Sequence, residues 1–274
     1  MNFSDIKKAL EDRGWNAERI HWFETIDSTN RFARSLGTEA PHGTLIAAEQ
    51  QTEGRGRKGR SFYSPSETGI YMTVIFDTGN FDFTDGSLFT TAAAVMTARA
   101  IDTFLDNGPS EERTKIKWVN DIYFRNKKIC GILAEAVMNP ETMKIAKVIL
   151  GIGINVSTEN FPEEIGTVAS SICPGGSIDR AELIGEIYDR LMRWAENYRD
   201  RSFMKEYRER CYLIGQRICY YTVAAAENQD SEVLYGTAVD ITDEGELVID
   251  FETDDPGKVH RRTVNSGECS VRLC

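Results

Sequence analysis

The stretch Lys147-Val148-Ile149-Leu150-Gly151-Ile152-Gly153-Ile154-Asn155 is an almost continuously apolar run. A run of this length without polar alternation is typical of a central β-strand that is buried on both faces. Two further strand candidates come shortly before it, at 115–124 and 128–137, and turn-like residues separate the three. We therefore expect three strands in quick succession, the last of them central in its sheet.

Helical and short-strand patterns surround this centre. An apolar stripe with a 3.6-residue period predicts a long helix over 179–199, and alternating segments take over after Gly215. The pattern predicts an α+β fold, with a mixed-sheet domain over 1–214 and a small β-barrel over 215–274. The remaining predicted helices are 5–13, 31–36, 87–105 and 202–213, and the remaining predicted strands are 21–26, 43–49, 68–76, 217–224, 232–241, 246–251 and 258–273.

The charge balance limits the classes of partner. The 274 residues carry a formal net charge of −11, which disfavours a general nucleic-acid binder, since such a protein needs a basic face to displace counterions. The N-terminus has no apolar signal core, and no apolar stretch is expected to reach the ~20 residues that span a bilayer. We expect neither a nucleic-acid nor a membrane partner.

Six cysteines are far apart and include no Cys-x-x-Cys pair, and three scattered histidines complete no zinc site. Free thiols in a reducing cytoplasm are the simplest interpretation. We therefore expect a cytoplasmic protein.

Residues 54–60, Gly-Arg-Gly-Arg-Lys-Gly-Arg, form what we call the Gly/Arg loop. Glycines let the backbone N–H groups approach a ligand, and arginine forks offer bidentate donors to phosphate or carboxylate. A flexible basic surface loop without a ligand could have the same composition. In an acidic chain, a local basic loop indicates a site for a small anion.

Three other segments accompany this loop along the chain. They are Asp27-Ser28-Thr29-Asn30, then Lys117-Trp118-Val119-Asn120-Asp121 followed by residues 127–135 (Lys-Lys-Ile-Cys-Gly-Ile-Leu-Ala-Glu), and finally residues 151–155. With Glu49-Gln50-Gln51-Thr52 before the loop, this order resembles the biotin–protein ligase family, in the form without an N-terminal DNA-binding domain. The resemblance extends from about residue 21 to Ser266-Gly267-Glu268.

The resemblance implies a catalytic domain of the biotin/lipoate ligase type followed by an SH3-like β-barrel. It implies ATP-dependent activation of biotin to biotinyl-5′-AMP, and transfer of biotin to one lysine of a biotin carboxyl carrier protein. Two anions must meet in the first step, so cations are needed, and Mg²⁺ is expected to bridge the ATP oxygens. A homodimer is compatible with this interpretation but is not required by it.

The resemblance also assigns residues. Those expected to bind biotin are Ser28, Thr29, Asn30, Gln51, Gly54, Arg55, Gly56, Arg57, Lys128 and Gly131. Those expected to bind ATP or the adenylate are Arg57, Arg60, Phe62, Asn120, Lys128 and Asn155. Catalytic roles are expected for Arg57, Lys117, Asp121 and Lys128, and Asp121 is the expected metal contact.

Plainer interpretations remain for several of these residues. Ser28 and Thr29 could simply cap a helix, Lys117 and Asp121 could form a solvated ion pair, and the glycines at 151 and 153 could only permit helix packing. Cys130 could face the site with Lys128 or be a small core residue.

Two other activities are also compatible with these segments, and the chain differs from the family's usual residues at two positions. A lipoate or octanoate ligase shares the adenylate chemistry, and a non-catalytic biotin-binding sensor would share the pocket. The family usually has Trp at Phe62 and Pro at Val119.

Overall fold

A seven-stranded mixed sheet forms the larger part of the computed structural model, which describes residues 1–79, 86–105, 112–222, 233–253, 255, 257–266 and 269–274. The strand order is β1-β2-β3-β7-β6-β5-β4. The strands β1 and β2 pair in parallel and the other neighbours pair antiparallel. The strands of this sheet are β1 Ile20–Ile26, β2 Thr44–Gln51, β3 Gly69–Asp77, β4 Lys115–Lys117, β5 Asp121–Phe124, β6 Lys127–Met138 and β7 Ile145–Asn155.

Six α-helices accompany the sheet in the described part of the chain. They are α1 Phe3–Glu11, α2 Thr29–Ser35, α3 Gly86–Leu105, α4 Glu163–Gly166, α5 Arg180–Glu196 and α6 Phe203–Arg210. The apolar run of β7 is central, as predicted, with neighbours on both sides. Alternation along β2 sends Leu45 and Ala47 into the main core with α3 and α5, and Ile46 into a smaller cluster with Ala33 of α2. Both faces of the sheet are therefore covered, and α2 lies on the face opposite α3 and α5.

Helix α3 corrects one expectation. Within the described residues it is long and apolar enough to cross a membrane by length and composition, although no such stretch was expected. However, 72% of its apolar window is buried inside the protein, where the helix packs against α5 and α6. A buried core helix passes the same test of length and composition, so α3 is weak grounds for a membrane span.

The sequence after Gly215 forms a second, five-stranded antiparallel sheet with the order β11-β10-β9-β8-β12. The edge strands β11 and β12 do not pair with each other in the described residues, so the expected barrel is an open sheet there. Parts of the predicted strands, at 223, 224, 232, 267 and 268, lie outside those residues. The strands are β8 Arg217–Thr222, β9 Leu234–Ile241, β10 Leu247–Glu252, β11 Val259–Val264 and β12 Cys269–Leu273.

Three further expectations were wrong. The single strand predicted at 258–273 is two strands, β11 and β12, which pair with different neighbours. The single strand predicted at 115–124 is a hairpin, because a turn at 118–120 separates β4 from β5. Free thiols were expected throughout, but Cys219 and Cys274 form a disulfide, with Cα atoms 5.5 Å apart. Register explains this contact: Leu273 pairs with Ile218, so the last residue of the chain lies beside the start of β8.

Candidate functional site

A cavity of about 1100 Å³, including its open mouth, lies on the α2 face of the larger sheet. Its walls come from the N-terminal end of α2, the Gly/Arg loop, the β4–β5 turn and β6. Its lining combines apolar groups with several polar and charged side chains, as sites for organic ligands do.

Glycines of the central strands bring the sheet backbone close to the groups above it. A Cβ atom at Gly151 would lie 2.1 Å from Asn30 Oδ1, and one at Gly153 would lie 2.6 Å from the Phe62 ring. Gly131, which pairs with Gly153 across the strands, would bring its Cβ within 3.2 Å of both Lys128 Nζ and Phe62. For Gly151 the helix-packing interpretation holds, since α2 sits directly on it.

One end of the cavity is built on the start of α2. Ser28 caps the helix, with its Oγ accepting from the Arg31 N–H at 3.4 Å, and it also lines the cavity. Gln51 Oε1 accepts from the Thr29 N–H at 2.9 Å and from Thr29 Oγ1 at 3.1 Å. Gln51 Nε2 donates to Ser64 Oγ. Hydrogen bonds thus join Thr29 to Gln51 at this end, and Ser28 lies beside them as the helix cap.

Asn30 is held from two sides. Its Oδ1 accepts from Thr73 Oγ1 at 2.7 Å, and its Nδ2 donates to Glu135 Oε2 at 2.9 Å. Sequence reasoning missed Thr73, a fully buried hydroxyl on β3, because a lone threonine in an apolar strand carries no motif. Both polar ends of the Asn30 amide are therefore committed within the protein.

The Gly/Arg loop is held at the cavity by a hydrogen bond within the loop and by hydrogen bonds to two other segments. Gly56 N donates to Arg60 O at 2.7 Å, and Arg57 donates to Asn120 Oδ1 at 3.2 Å and to Ser266 O at 2.8 Å. Gly54 lies underneath, where a Cβ would come within 2.4 Å of Phe62 O. The loop backbone therefore depends on Gly54 for close approach, but Gly54 itself does not line the cavity.

The second sheet also reaches the cavity. Ser266, just before β12, and Val271 within it belong to the lining, and Arg57 joins Ser266 to the loop. Ser266 stands at the end of the resemblance but had no expected role, and no sequence pattern had marked Val271. Gly267 and Glu268, which carried the end of the resemblance, lie outside the described residues.

The opposite end of the cavity is charged. Lys128 Nζ lies 2.7 Å from Asp121 Oδ1, and the two residues come from neighbouring strands. A register shift in the β5–β6 ladder pairs Ile122 with Cys130 but Tyr123 with Lys128. A bulge of this kind interrupts side-chain alternation, so Lys128 reaches the cavity together with Gly131.

The bulge also decides the orientation of Cys130. Its side chain is fully buried in the main core, and burial raises the pKa of its thiol. The hypothesis that Cys130 shares the site face with Lys128 is therefore wrong, and the core interpretation is correct. It failed because simple alternation does not hold across a bulge.

Lys117 lies beside this charged pair. Its Nζ is 5.9 Å from the centre of the Tyr123 ring. Burial lowers the pKa of Lys117; the carboxylate of Asp121 opposes this shift, while Lys128, Arg272 and Arg60 add to it. The ammonium is thus partly desolvated among other cations, an arrangement that favours an incoming anion.

Most predicted site residues meet at this one cavity, and two do not. Gly54 and Asn155 are absent from its lining, and Asn155 is buried with its Nδ2 donating to Ser170 O at 3.0 Å. Phe62, in place of the family's Trp, lies over the glycine floor. The Trp118–Val119 peptide, at the position of the family's Pro, is cis. The lining residues that had been predicted are Ser28, Thr29, Asn30, Gln51, Arg55, Gly56, Arg57, Arg60, Phe62, Lys117, Asn120, Asp121, Lys128 and Gly131.

Metal binding depends on the donor groups that the described residues offer. The described residues contain no group of three or more His, Cys, Asp or Glu side chains that could hold an ion. Asp121 is the acidic residue in the described lining. One carboxylate fits Mg²⁺ that arrives with substrate phosphates and keeps several waters, and does not fit a cage made by protein alone.

Comparison with known proteins assigns two parts of the chain to ligase families. Residues 22–155 match the biotin/lipoate A/B protein ligase family, and residues 225–272 match the biotin protein ligase C-terminal domain. The bifunctional ligase/repressor BirA of Bacillus spizizenii is 34% identical, over 92% of this chain and 75% of that protein. The biotin–[acetyl-CoA-carboxylase] ligase of Mycobacterium tuberculosis is 31% identical, over 81% of this chain and 80% of that one.

The fold is also that of a solved relative. The biotin protein ligase of Aquifex aeolicus, solved with biotin and ATP, superposes with a TM-score of 0.72 at 24% identity and covers 94% of this chain and 100% of that one. Two family matches and two relatives above 30% identity go together with a cavity that gathers the predicted residues. The chain belongs to the biotin protein ligase family.

Proposed function

We propose that the protein activates biotin with ATP to biotinyl-5′-AMP and then transfers biotin to a lysine of a biotin carboxyl carrier protein. The observation that carries the proposal is the layout of one cavity. Its α2 end offers buried, neutral hydrogen-bonding groups, whereas its other end gathers cations from the Gly/Arg loop, β4 and β6. A small acid with a polar, uncharged head and a carboxylate tail suits this layout.

In the first step, a carboxylate oxygen of biotin attacks the α-phosphorus of ATP, and pyrophosphate leaves with the electron pair of the broken P–O bond. Arg55, Arg57 and Lys128 would hold the two anions together and neutralise the charge that develops. Mg²⁺ carried by ATP would add to this neutralisation, with Asp121 as its protein contact.

In the second step, the neutral amine of the carrier lysine attacks the anhydride carbonyl, and AMP leaves. The incoming ammonium must first lose a proton, and Asp121 is the carboxylate placed to attract it. Lys128 now pairs with Asp121. An anion bound by Lys128 would compete with Asp121 for this ammonium group and would free the Asp121 carboxylate to accept the proton. Arg57, which bridges Asn120 and Ser266, would keep the reactive anhydride under the loop.

Further assignments belong to the same proposal. We infer a division near 214–215 into the biotin/ATP domain and the C-terminal domain. We also infer the cytoplasm as the compartment from the need for ATP, because the Cys219–Cys274 disulfide removes the argument from free thiols. We infer no role in nucleic-acid binding, because the net charge is −11. The mechanism works in a monomer or a homodimer, which light scattering distinguishes.

Pyrophosphate exchange into ATP tests the first step. Run in parallel with biotin, lipoate and octanoate, exchange should depend on biotin alone. Exchange with lipoate or octanoate would instead support the related acyl ligases. Biotin binding without exchange would support a sensor that performs no chemistry.

A further inference from the structure

Glu135, near the middle of β6, holds three donors from two other parts of the chain. Its Oε2 accepts from Asn30 Nδ2 at 2.9 Å, and its Oε1 accepts from Arg34 at 2.9 Å and from Arg55 at 3.4 Å. The Glu135 side chain is only 13% exposed and does not line the cavity. One carboxylate therefore links α2, β6 and the Gly/Arg loop from beneath the site.

The contact with Asn30 has little freedom. Asn30 lies so close to β7 that a Cβ at Gly151 would be 2.1 Å from its Oδ1. Thr73 occupies that oxygen, so the amide nitrogen points to Glu135 and to no other acceptor among the described contacts of Asn30. The Glu135 carboxylate thus fixes the orientation of Asn30. It thereby also fixes the position of the first turn of α2, where Ser28 is the cap and Thr29 the first residue.

The contacts with the two arginines are weaker. Arg34 is 51% exposed and Arg55 is 43% exposed, so solvent screens both ion pairs. Arg55 nevertheless belongs to the first half of the Gly/Arg loop, and its pairing with Glu135 restrains that half when no ligand is bound. The two contacts serve different ends, since one orients the pocket and the other tethers the loop.

We propose that Glu135 is a positioning residue for the biotin site: it orients Asn30 under the pocket and tethers the Arg55 end of the loop. This inference rests on the proposed function, because the pocket that Glu135 shapes is the one assigned to biotin. Glu135 is not a catalytic residue, since it touches Asn30 and Arg55 and lies outside the cavity lining.

The test compares three variants of the full-length protein. In Glu135→Gln the size is kept, but the amide nitrogen must face either Asn30 Nδ2 or the arginines, so one side loses its acceptor. Glu186→Gln is the matched control, because Glu186 on α5 also forms ion pairs with two arginines, Arg13 and Arg190. Arg34→Gln removes one ion pair from Glu135 and leaves Asn30 in place.

Glu135→Gln should raise the KM for biotin about tenfold, the effect of losing one hydrogen bond to a charged group. The KM for ATP and the melting temperature should stay near those of Glu186→Gln. Trypsin should cleave the ligand-free loop faster in Glu135→Gln than in the control. Arg34→Gln should change the KM for biotin by less than about twofold, since exposed ion pairs contribute little.

Three outcomes would overturn the inference. The first is a biotin KM and a cleavage rate equal to those of Glu186→Gln. The second is a rise in the KM for both biotin and ATP together with a lower melting temperature. The third is an Arg34→Gln effect as large as that of Glu135→Gln. Failure of the proposed function would look different, because the wild-type protein would then show no biotin-dependent exchange. The trypsin comparison needs no substrate, so it would still test whether Glu135 restrains the loop through Arg55.

Discussion

Gly151→Ala is the substitution whose effect follows most directly from the coordinates. The new Cβ would lie 2.1 Å from Asn30 Oδ1 and 2.8 Å from its Cγ, far inside van der Waals contact. Asn30 cannot yield cheaply, because Thr73 and Glu135 hold the two ends of its amide. Moving the amide would cost its hydrogen bond with Thr73, about 0.5–1.5 kcal/mol, and its charge-assisted hydrogen bond with Glu135, about 1.5–3 kcal/mol.

The expected loss of unfolding free energy is about 1–4 kcal/mol, after the roughly 0.5–1 kcal/mol that alanine gains over glycine in a strand is subtracted. Urea denaturation measures it, with the biotin KM as a second readout that should rise. Gly166→Ala is the control, because its Cβ would meet nothing closer than 3.9 Å. In an Asn30→Ala background the clash is gone, and Gly151→Ala should then cost under about 1 kcal/mol. Equal costs in both backgrounds, or wild-type stability of Gly151→Ala, would refute the reasoning.

Three further predictions concern the loop and the charged end of the cavity. Biotin with ATP should slow tryptic cleavage at the exposed Arg55, Lys58 and Arg60, because a ligand adds contacts to a glycine-rich loop; equal rates with and without ligand would count against this. Arg57→Gly should still form adenylate, but it removes roughly 1.5–3 kcal/mol of retention and should release the adenylate about ten- to a hundredfold faster. A biotin blot of bystander albumin should then show labelling above the wild-type level, and unchanged labelling would mean that another group retains the intermediate. The lowered pKa of Lys117 means that its charge costs stability below its folded pKa, and that this cost fades as the pH rises toward 10.5. Lys117→Met should therefore stabilise the protein more near pH 7 than near pH 10.5, as measured by urea denaturation, and a pH-independent difference would contradict the sign.

Apolar periodicity predicted the parts of the fold that depend on burial. The run at 147–155 is a central strand, and the stripe on α5 faces the core. The split of 115–124 was missed because Trp118, Val119 and Asn120 include no glycine or proline to mark a turn. The bulge opposite Ile122 was invisible for a similar reason, since it is defined by pairing between strands.

The site was predicted to the extent that its residues lie in motifs. Lys128, Asp121 and the Gly/Arg loop meet at one cavity. Glu135 and Ser266 lie in segments that carried the resemblance but had no expected role, and Thr73 lies in none of them. All three enter through contacts between distant segments. Nothing local in the sequence distinguishes Thr73 from an ordinary strand threonine. The disulfide between Cys219 and Cys274 was missed likewise, because it depends on the register of β12 with β8.

The central claim is that this cavity joins biotin to a carrier lysine. The most direct test is the intact mass of a biotin carboxyl carrier domain after incubation with the protein, biotin and ATP. A carrier variant with arginine at the acceptor lysine is the control. We predict a mass increase of one biotinyl group on the carrier, no increase on the control, and no increase without ATP. An unchanged carrier mass, or equal labelling of the arginine variant, would contradict it.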